Sequence, residues 1–299
     1  MSGYETFLFA IEVTISGLLA GVMYALVGLG FVLIFKASSI FNFAQGAMVL
    51  FAALGFVSFL EQGIPLWGAF LITLVMMIGL AIAIERIVLR PLVAQPPITL
   101  FMATIGLAFF LEGLAQGIWG SQVHGLDIGV PDVPFEIKGI FVSQFELFAA
   151  GIAALLVIAL VWFFQKTRIG RALRAVSDDH EAALSVGIPL RTIWGITWGI
   201  AGLVALVAGI LWGTRLGVQY SLSLIVLKAL PVIILGGLDS ITGAIVGGLI
   251  IGAGEKLAEV FLGPYVGGGI ENFFPYLLAM IFLAFRPYGL FGNEIIERV

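Results

Sequence analysis

No cysteine occurs anywhere in the 299 residues. That excludes disulfides, thiolate-held metal and thiol nucleophiles, and leaves the compartment open. Charge is scarce as well: 11% of the chain is charged, where a soluble domain carries about 25%. So little polar surface cannot cover a water-soluble body. The two histidines, His124 and His180, stand in separate polar loops with no metal-ligand spacing. A Gly-x-x-x-x-Gly-Lys-Ser/Thr phosphate loop and a Gly-x-Ser-x-Gly elbow are also missing. No catalytic residue and no resident metal or cofactor is therefore expected. A net charge of −4 without a basic arm gives no footprint for nucleic acid.

What fills the chain is apolar: 61% hydrophobic residues and a mean hydropathy of +1.16. Several runs approach the ~20 residues that cross a bilayer as helix. Short alternating segments of the β-barrel kind are not evident. The expected fold is all-α, a polytopic membrane protein of about nine (eight to ten) transmembrane helices, some broken or re-entrant. The spans fall near 10–35, 46–60, 64–84, 98–119, 144–164, 192–213, 224–237, 241–261 and 272–286. The first run has no small-residue cleavage site after it and reads as a mature helix. Short loops rich in Lys and Arg stay inside the cell. Arg86 and Arg90, the basic 165–191 loop and Arg286 therefore point inward. The acidic loop 120–143, with one Lys138 against four acidic or histidine side chains, and an N-terminus with Glu5 and Glu12 point outward, with the C-terminus cytoplasmic; Arg215 then falls on the outside and counts against this parity.

Two polar stretches interrupt the apolar pattern. "SSIFNFAQG" (38–46) sets Asn42 and Gln45 between two spans, and "GGLDSITGAIVGG" (236–248) sets Asp239, Ser240 and Thr242 among glycines. Each is either a surface loop or non-helical backbone at membrane depth, which survives only where protein or a water-filled path satisfies it. Small-xxx-small spacings at Gly17/Gly21, Gly195/Gly199, Gly243/Gly247 and Gly248/Gly252 read as helix contacts. Polar residues inside spans are functional candidates. Thr104 and Glu112 share a face two turns apart, with Thr99 and Gln116 extending the row, and Lys228 precedes Pro231. Asn42, Gln45, Thr104, Glu112 and Lys228 are the candidate substrate path, with Glu112 and Lys228 alternatively pairing with each other or with a neighbouring subunit, or snorkelling to the interface.

The charge gathers between Lys166 and Arg191, where Arg168, Arg171, Arg174, Asp178, Asp179 and Glu181 also stand. Residues 168–176 form an amphipathic pattern, with Ile169, Ala172, Leu173 and Val176 on one stripe. Asp178 followed by Glu181 has the spacing of a capping box, Gly187 suits a left-handed helix stop, and Pro189 follows. The pattern predicts two short helices with a bend at 177–178. The second carries Ala182, Ala183 and Leu184, a small apolar face suited to a groove on another protein.

"EAALSVGI" (181–188) resembles the coupling loop of ABC-importer permeases. "GLLAGVMYALVGLGFVLIFKASSIFNFAQGAM", "RIGRALRAVSDDHEAALSVGIPLR", "LKALPVIILGGLDSITGAIVGGLIIGAGEKLAE" and "FRPYGLFG", in that order, are similar to the high-affinity branched-chain amino acid ABC permease family. The resemblance implies one transmembrane permease domain over 1–299 in the plasma (inner) membrane, with a cytoplasmic coupling loop at about 166–191. Glu181, Ala182, Ala183 and Gly187 would be the ATPase coupling positions, with Arg171, Arg174 and Asp178 beside them. Implied partners are a homologous second permease subunit, two cytoplasmic ATPase subunits holding ATP and Mg, an external substrate-binding protein and the lipid bilayer. At Gln45 the family often carries His, so a titratable group is absent here. Urea or short amides are the alternative substrates, and an ion-driven secondary transporter is the alternative class.

Overall fold

The computed structural model describes residues 3–92, 95–178 and 180–292, without the side chains of Pro97, His180 and Glu181. Each of the nine apolar stretches forms a helix. In chain order these are α1 (Gly3–Ser38), α2 (Gln45–Glu61), α3 (Leu66–Ala83), α4 (Pro97–Trp119) and α5 (Gln144–Lys166). The charged loop adds α6 (Arg168–Asp178) and α7 (His180–Ser185), before α8 (Leu190–Leu216), α9 (Ile225–Gly236), α10 (Ile241–Val266) and α11 (Ile270–Phe285). Among the described residues five helices are long and apolar enough to cross a bilayer alone, while α2 and α11 are shorter. The stretches Tyr220–Gly236 and Ile241–Val266 meet at 116°. The protein is a polytopic all-α membrane protein.

One feature was not foreseen: a two-stranded hairpin, β1 (Pro134–Ile137) antiparallel to β2 (Ile140–Ser143). Its turn is Lys138–Gly139, with φ of 53° and 85°. Both values belong to the primed turns that match strand twist.

The chain divides into two compact units. The first gathers Met1–Leu29, Gly129–Val157 and Leu227–Val299, so far as these are described. Here two of the small-residue pairs meet. A Cβ on Gly17 would lie 2.6 Å from the Gly252 oxygen, and one on Gly21 would lie 2.4 Å from that of Gly248. With hydrogen at all four positions the backbones of α1 and α10 touch, the dispersion-driven packing that membranes favour. The turn after α9 is capped from the chain's far end. The amides of Leu290 and Phe291 donate to the carbonyls of Leu235 and Gly236, at 2.9 and 3.0 Å. Those carbonyls have no helical donor of their own. Ser240 then caps α10, accepting the Gly243 amide at 2.9 Å. The 236–240 break is thus a turn whose glycines 236 and 237 are buried.

The second unit gathers Gly30–Ile128 and Ile158–Val226. Its centre is α2, buried without interruption from Gln45 to Val57. A helix apolar on every side must be enclosed. Gly209 lets α8 approach, since a Cβ there would lie 2.7 Å from the Val49 oxygen. The Trp194 indole on α8 donates to the Ala37 carbonyl in the last turn of α1, at 2.8 Å.

Candidate functional site

The charged loop is built as two helices on the end of α5. Thr167 is the hinge residue: its hydroxyl accepts the Gly170 amide at 3.0 Å, an N-cap for α6. Gly170 lies so close that a Cβ would meet the carbonyl oxygens of Phe163 and Phe164 at 2.4 Å. Leu173 and Val176 are buried as the periodicity predicts and Ala172 is half-buried, while this close seat buries Gly170 and leaves Ile169 exposed. Arg171 and Arg174 face outward, their guanidiniums 3.4 Å from the carbonyls of Lys166 and Gln165. Asp178 is exposed and closes α6 instead of preceding α7. Asp179 and the Glu181 side chain lie outside the described residues.

The end of α7 is fully determined. Gly187 has φ +83°, in the left-handed region. Its amide donates to Leu184 and that of Ile188 to Ala183, both at 3.0 Å. That pair of bonds is the Schellman stop, and Pro189 follows it. Ala183 is buried while Ala182 is exposed, and Leu184 and Val186 stand 54% and 74% exposed. The short helix and the Val186 that follows it therefore present an apolar edge that the described residues leave more than half exposed.

The break between α1 and α2 is buried at Ile40, Asn42 and Ala44 and exposed at Ser39. Asn42, Gln45 and Thr104 have no solvent exposure, and the structure brings these three together. The Thr104 hydroxyl lies 3.3 Å from the Phe43 amide and 3.1 Å from the Phe41 carbonyl. Asn42 Oδ1 accepts the Ala44 amide at 3.1 Å, and its Nδ2 faces Gln45 Oε1 at 3.4 Å. Gln45 Nε2 in turn reaches the Ala201 carbonyl at 3.5 Å. Side chains thus satisfy the backbone groups that the missing helical turn leaves open. Phe31, Phe41, Phe43 and Phe101 line the break in successive ring contacts of 4.8–5.0 Å between centroids, stacked, tilted and edge-on in turn.

Glu112 and Lys228 do not pair with each other: each bonds a different side chain. Glu112 accepts from the Tyr220 hydroxyl at 3.1 Å. Lys228 donates to Glu255 at 3.1 Å, and Glu255 also accepts from Tyr24 at 2.7 Å. Sequence reading missed Glu255 and Tyr24; the signal was a carboxylate inside an apolar span. Two prolines explain the rest. A proline in a helix strips the donor from the carbonyl four residues earlier. Pro231 thereby frees the Leu227 carbonyl, which takes the Tyr276 hydroxyl at 2.6 Å. Pro275 frees the Glu271 carbonyl, which takes the Lys228 ammonium at 2.6 Å. So α9 and α11 repair each other.

The pattern of the family described as branched-chain amino acid transport system, permease component, matches residues 13–285. The chain belongs to this family. Among relatives of the permease, BraD of Pseudomonas aeruginosa, a high-affinity branched-chain amino acid transport system permease protein, is 27% identical over 95% of this chain and 96% of its own. LivH of Escherichia coli, described in the same words, is 28% identical over 99% of both chains. A probable LivH of Methanocaldococcus jannaschii is 28% identical over 91% of this chain and 89% of its own. The protein is thus a multi-pass transport permease component and not an enzyme.

In this permease the Lys228–Glu255 pair has one carboxylate almost wholly enclosed, with side-chain exposures of 20% and 1%. Lys228→Met strands Glu255 and is expected to lower unfolding stability by about 3–5 kcal/mol. The double variant Lys228→Met/Glu255→Gln should recover most of that loss, keeping a cost of about 1 kcal/mol for the unpaired Glu271 carbonyl. Denaturation in mixed micelles reads both, and additive losses would refute the pairing.

Proposed function

We propose that the chain is a membrane permease subunit of an ABC importer for branched-chain or related amino acids. The observation that carries this reading is α7, a helix with a Schellman stop and an apolar edge of Leu184 and Val186 on an otherwise cationic loop. One of two ATPase subunits docks there, at Glu181, Ala182, Ala183 and Gly187, with Arg171, Arg174 and Asp178 on the flank, and the other docks on the corresponding loop of the second permease. ATP and Mg belong to those subunits. A homologous second permease completes the pathway, and a substrate-binding protein delivers cargo from outside. The whole chain acts as one transmembrane domain of the plasma membrane, N-terminus outside and C-terminus cytoplasmic.

ATP binding draws the docked loops together and tilts the helices, so access alternates between the two faces. The path runs by Asn42, Gln45 and Thr104, with Glu112 at its side. These neutral groups hydrogen-bond a zwitterion without trapping it, which suits a permease whose affinity resides in the binding protein. The same amide-lined break suits urea or a short amide, the second substrate class. Lys228 we assign to holding α9 against α11 and α10.

The test is leucine uptake into vesicles holding the permease pair and its ATPases, with binding protein outside. ATP-dependent uptake that persists when ion gradients are collapsed is the expected result. Gradient-driven uptake without ATP would instead make Glu112 the ion-coupling group of a secondary transporter and end the importer reading.

A further inference from the structure

Within the second unit, α3 and α8 leave a groove of about 710 Å³ along their outer side. Its walls are apolar, with Leu74, Ile78 and Ile82 on α3 facing Ile196, Ile200 and Leu203 on α8. Between the isoleucines of α8 stand Gly195 and Gly199, and a Cβ at either would meet nothing within 4 Å. Of the small-xxx-small pairs this one has no helix packed against it among the described residues, which gives the groove its depth.

One end of the groove is cationic. Arg86, Arg90 and Arg191 line it with Glu85, the carboxylate among them. Glu85 is buried and held by Arg90 through bonds of 2.9–3.1 Å. Arg86 and Arg191 are exposed, and neither has a hydrogen-bond or ion-pair partner among the described residues. The cationic end thus carries two charges in excess. The backbone is shaped to this end: α3 passes into a π-helical turn, Ile84–Leu89, and such turns are frequent at functional sites.

The dimensions fit a membrane leaflet. Twelve residues separate Leu74 from Arg86 on one wall and Leu203 from Arg191 on the other. At 1.5 Å per residue each wall is about 18 Å long. Half the hydrocarbon core of a bilayer is about 15 Å. An acyl chain can therefore lie along the isoleucines while its phosphate meets the arginines at headgroup depth.

We propose that this groove binds an anionic phospholipid. Basic pockets between transmembrane helices at a membrane face are suited to such headgroups. The phosphate bridges Arg86, on the π-helical turn after α3, to Arg191, which follows the Gly187–Pro189 stop by two residues. The lipid thereby ties the start of α8, and with it the segment carrying α7, to α3. This holds whichever leaflet carries the arginines, and does not depend on the cargo or the ATPases.

Native mass spectrometry of the purified protein, stripped of lipid and then offered phosphatidylglycerol or phosphatidylcholine with matched acyl chains, tests it. Retention of phosphatidylglycerol at least about tenfold above phosphatidylcholine is expected. Arg86→Gln/Arg191→Gln should abolish the preference, and Gly199→Leu, which fills the groove, should abolish retention of both lipids. Circular dichroism melts confirm that each variant is folded, and Arg86→Lys/Arg191→Lys, which keeps both charges, should retain the preference. Equal retention of the two lipids by the wild type overturns the proposal, as does unchanged retention in the glutamine variant. So does a Gly199→Cys disulfide to a second permease chain, which would make the occupant protein.

Discussion

Gly248→Leu should yield no folded protein, while Gly199→Leu yields normal amounts. Both glycines belong to small-xxx-small pairs, so their sequence contexts alone predict similar outcomes. Their surroundings do not. A Cβ at Gly248 would lie 2.5 Å from the Gly21 oxygen and 2.8 Å from the Ala25 Cβ. Neither neighbour is a flexible side chain that can turn aside. A leucine there must drive α1 and α10 apart along the Gly17/Gly252 and Gly21/Gly248 seam. Overpacking costs about 1–3 kcal/mol where side chains can adjust, and here the obstruction is backbone. Gly199 faces the open groove, and a side chain there displaces only lipid. Size-exclusion profiles of the two variants after detergent extraction check the contrast. Two equal monodisperse peaks would show that the α1–α10 seam is not what holds the first unit.

The second large effect is on transport with the fold intact. Leu184→Asp/Val186→Asp replaces the apolar edge of α7 by two carboxylates. Both positions are more than half exposed and contribute little to the core, so melting should shift by no more than a degree or two. Desolvating two unpaired charges on docking is costly, so ATP-dependent uptake should fall at least about tenfold. Gly187→Ala is the milder companion, because it places a Cβ in the left-handed region at a cost of about 1–2 kcal/mol. It should weaken uptake less than the double aspartate does. Full uptake by the aspartate variant would remove α7 from the coupling route.

Much of this was legible in the sequence because the physics is local. Apolar runs of bilayer length became helices, and Gly187 before Pro189 became the stop that its spacing foretold. The exposure of Ile169 on α6 has a tertiary cause, the seat of Gly170 on the carbonyls of α5, which periodicity does not contain. The 134–143 hairpin was missed because its strands are only four residues each. Lys138–Gly139 was the available signal. Lys228 was legible as an intramembrane cation but its purpose was not. Its partner Glu255 lies 27 residues away and its second acceptor 43 away, and only the rule that Pro275 frees the Glu271 carbonyl links them. The meeting of Asn42, Gln45 and Thr104 likewise depends on how α4 packs, which spacing does not encode.

In the importer proposed for this permease, a separate ATPase subunit seats on α7. The absence of cysteine makes this directly measurable, since Leu184→Cys supplies the chain's single thiol. In the assembled complex, a short bismaleimide should join that thiol to an ATPase subunit engineered with single cysteines across its surface, and ATPase addition should protect Leu184→Cys from soluble maleimide. Equal labelling with and without the ATPase, and no crosslink at any position, would contradict the account.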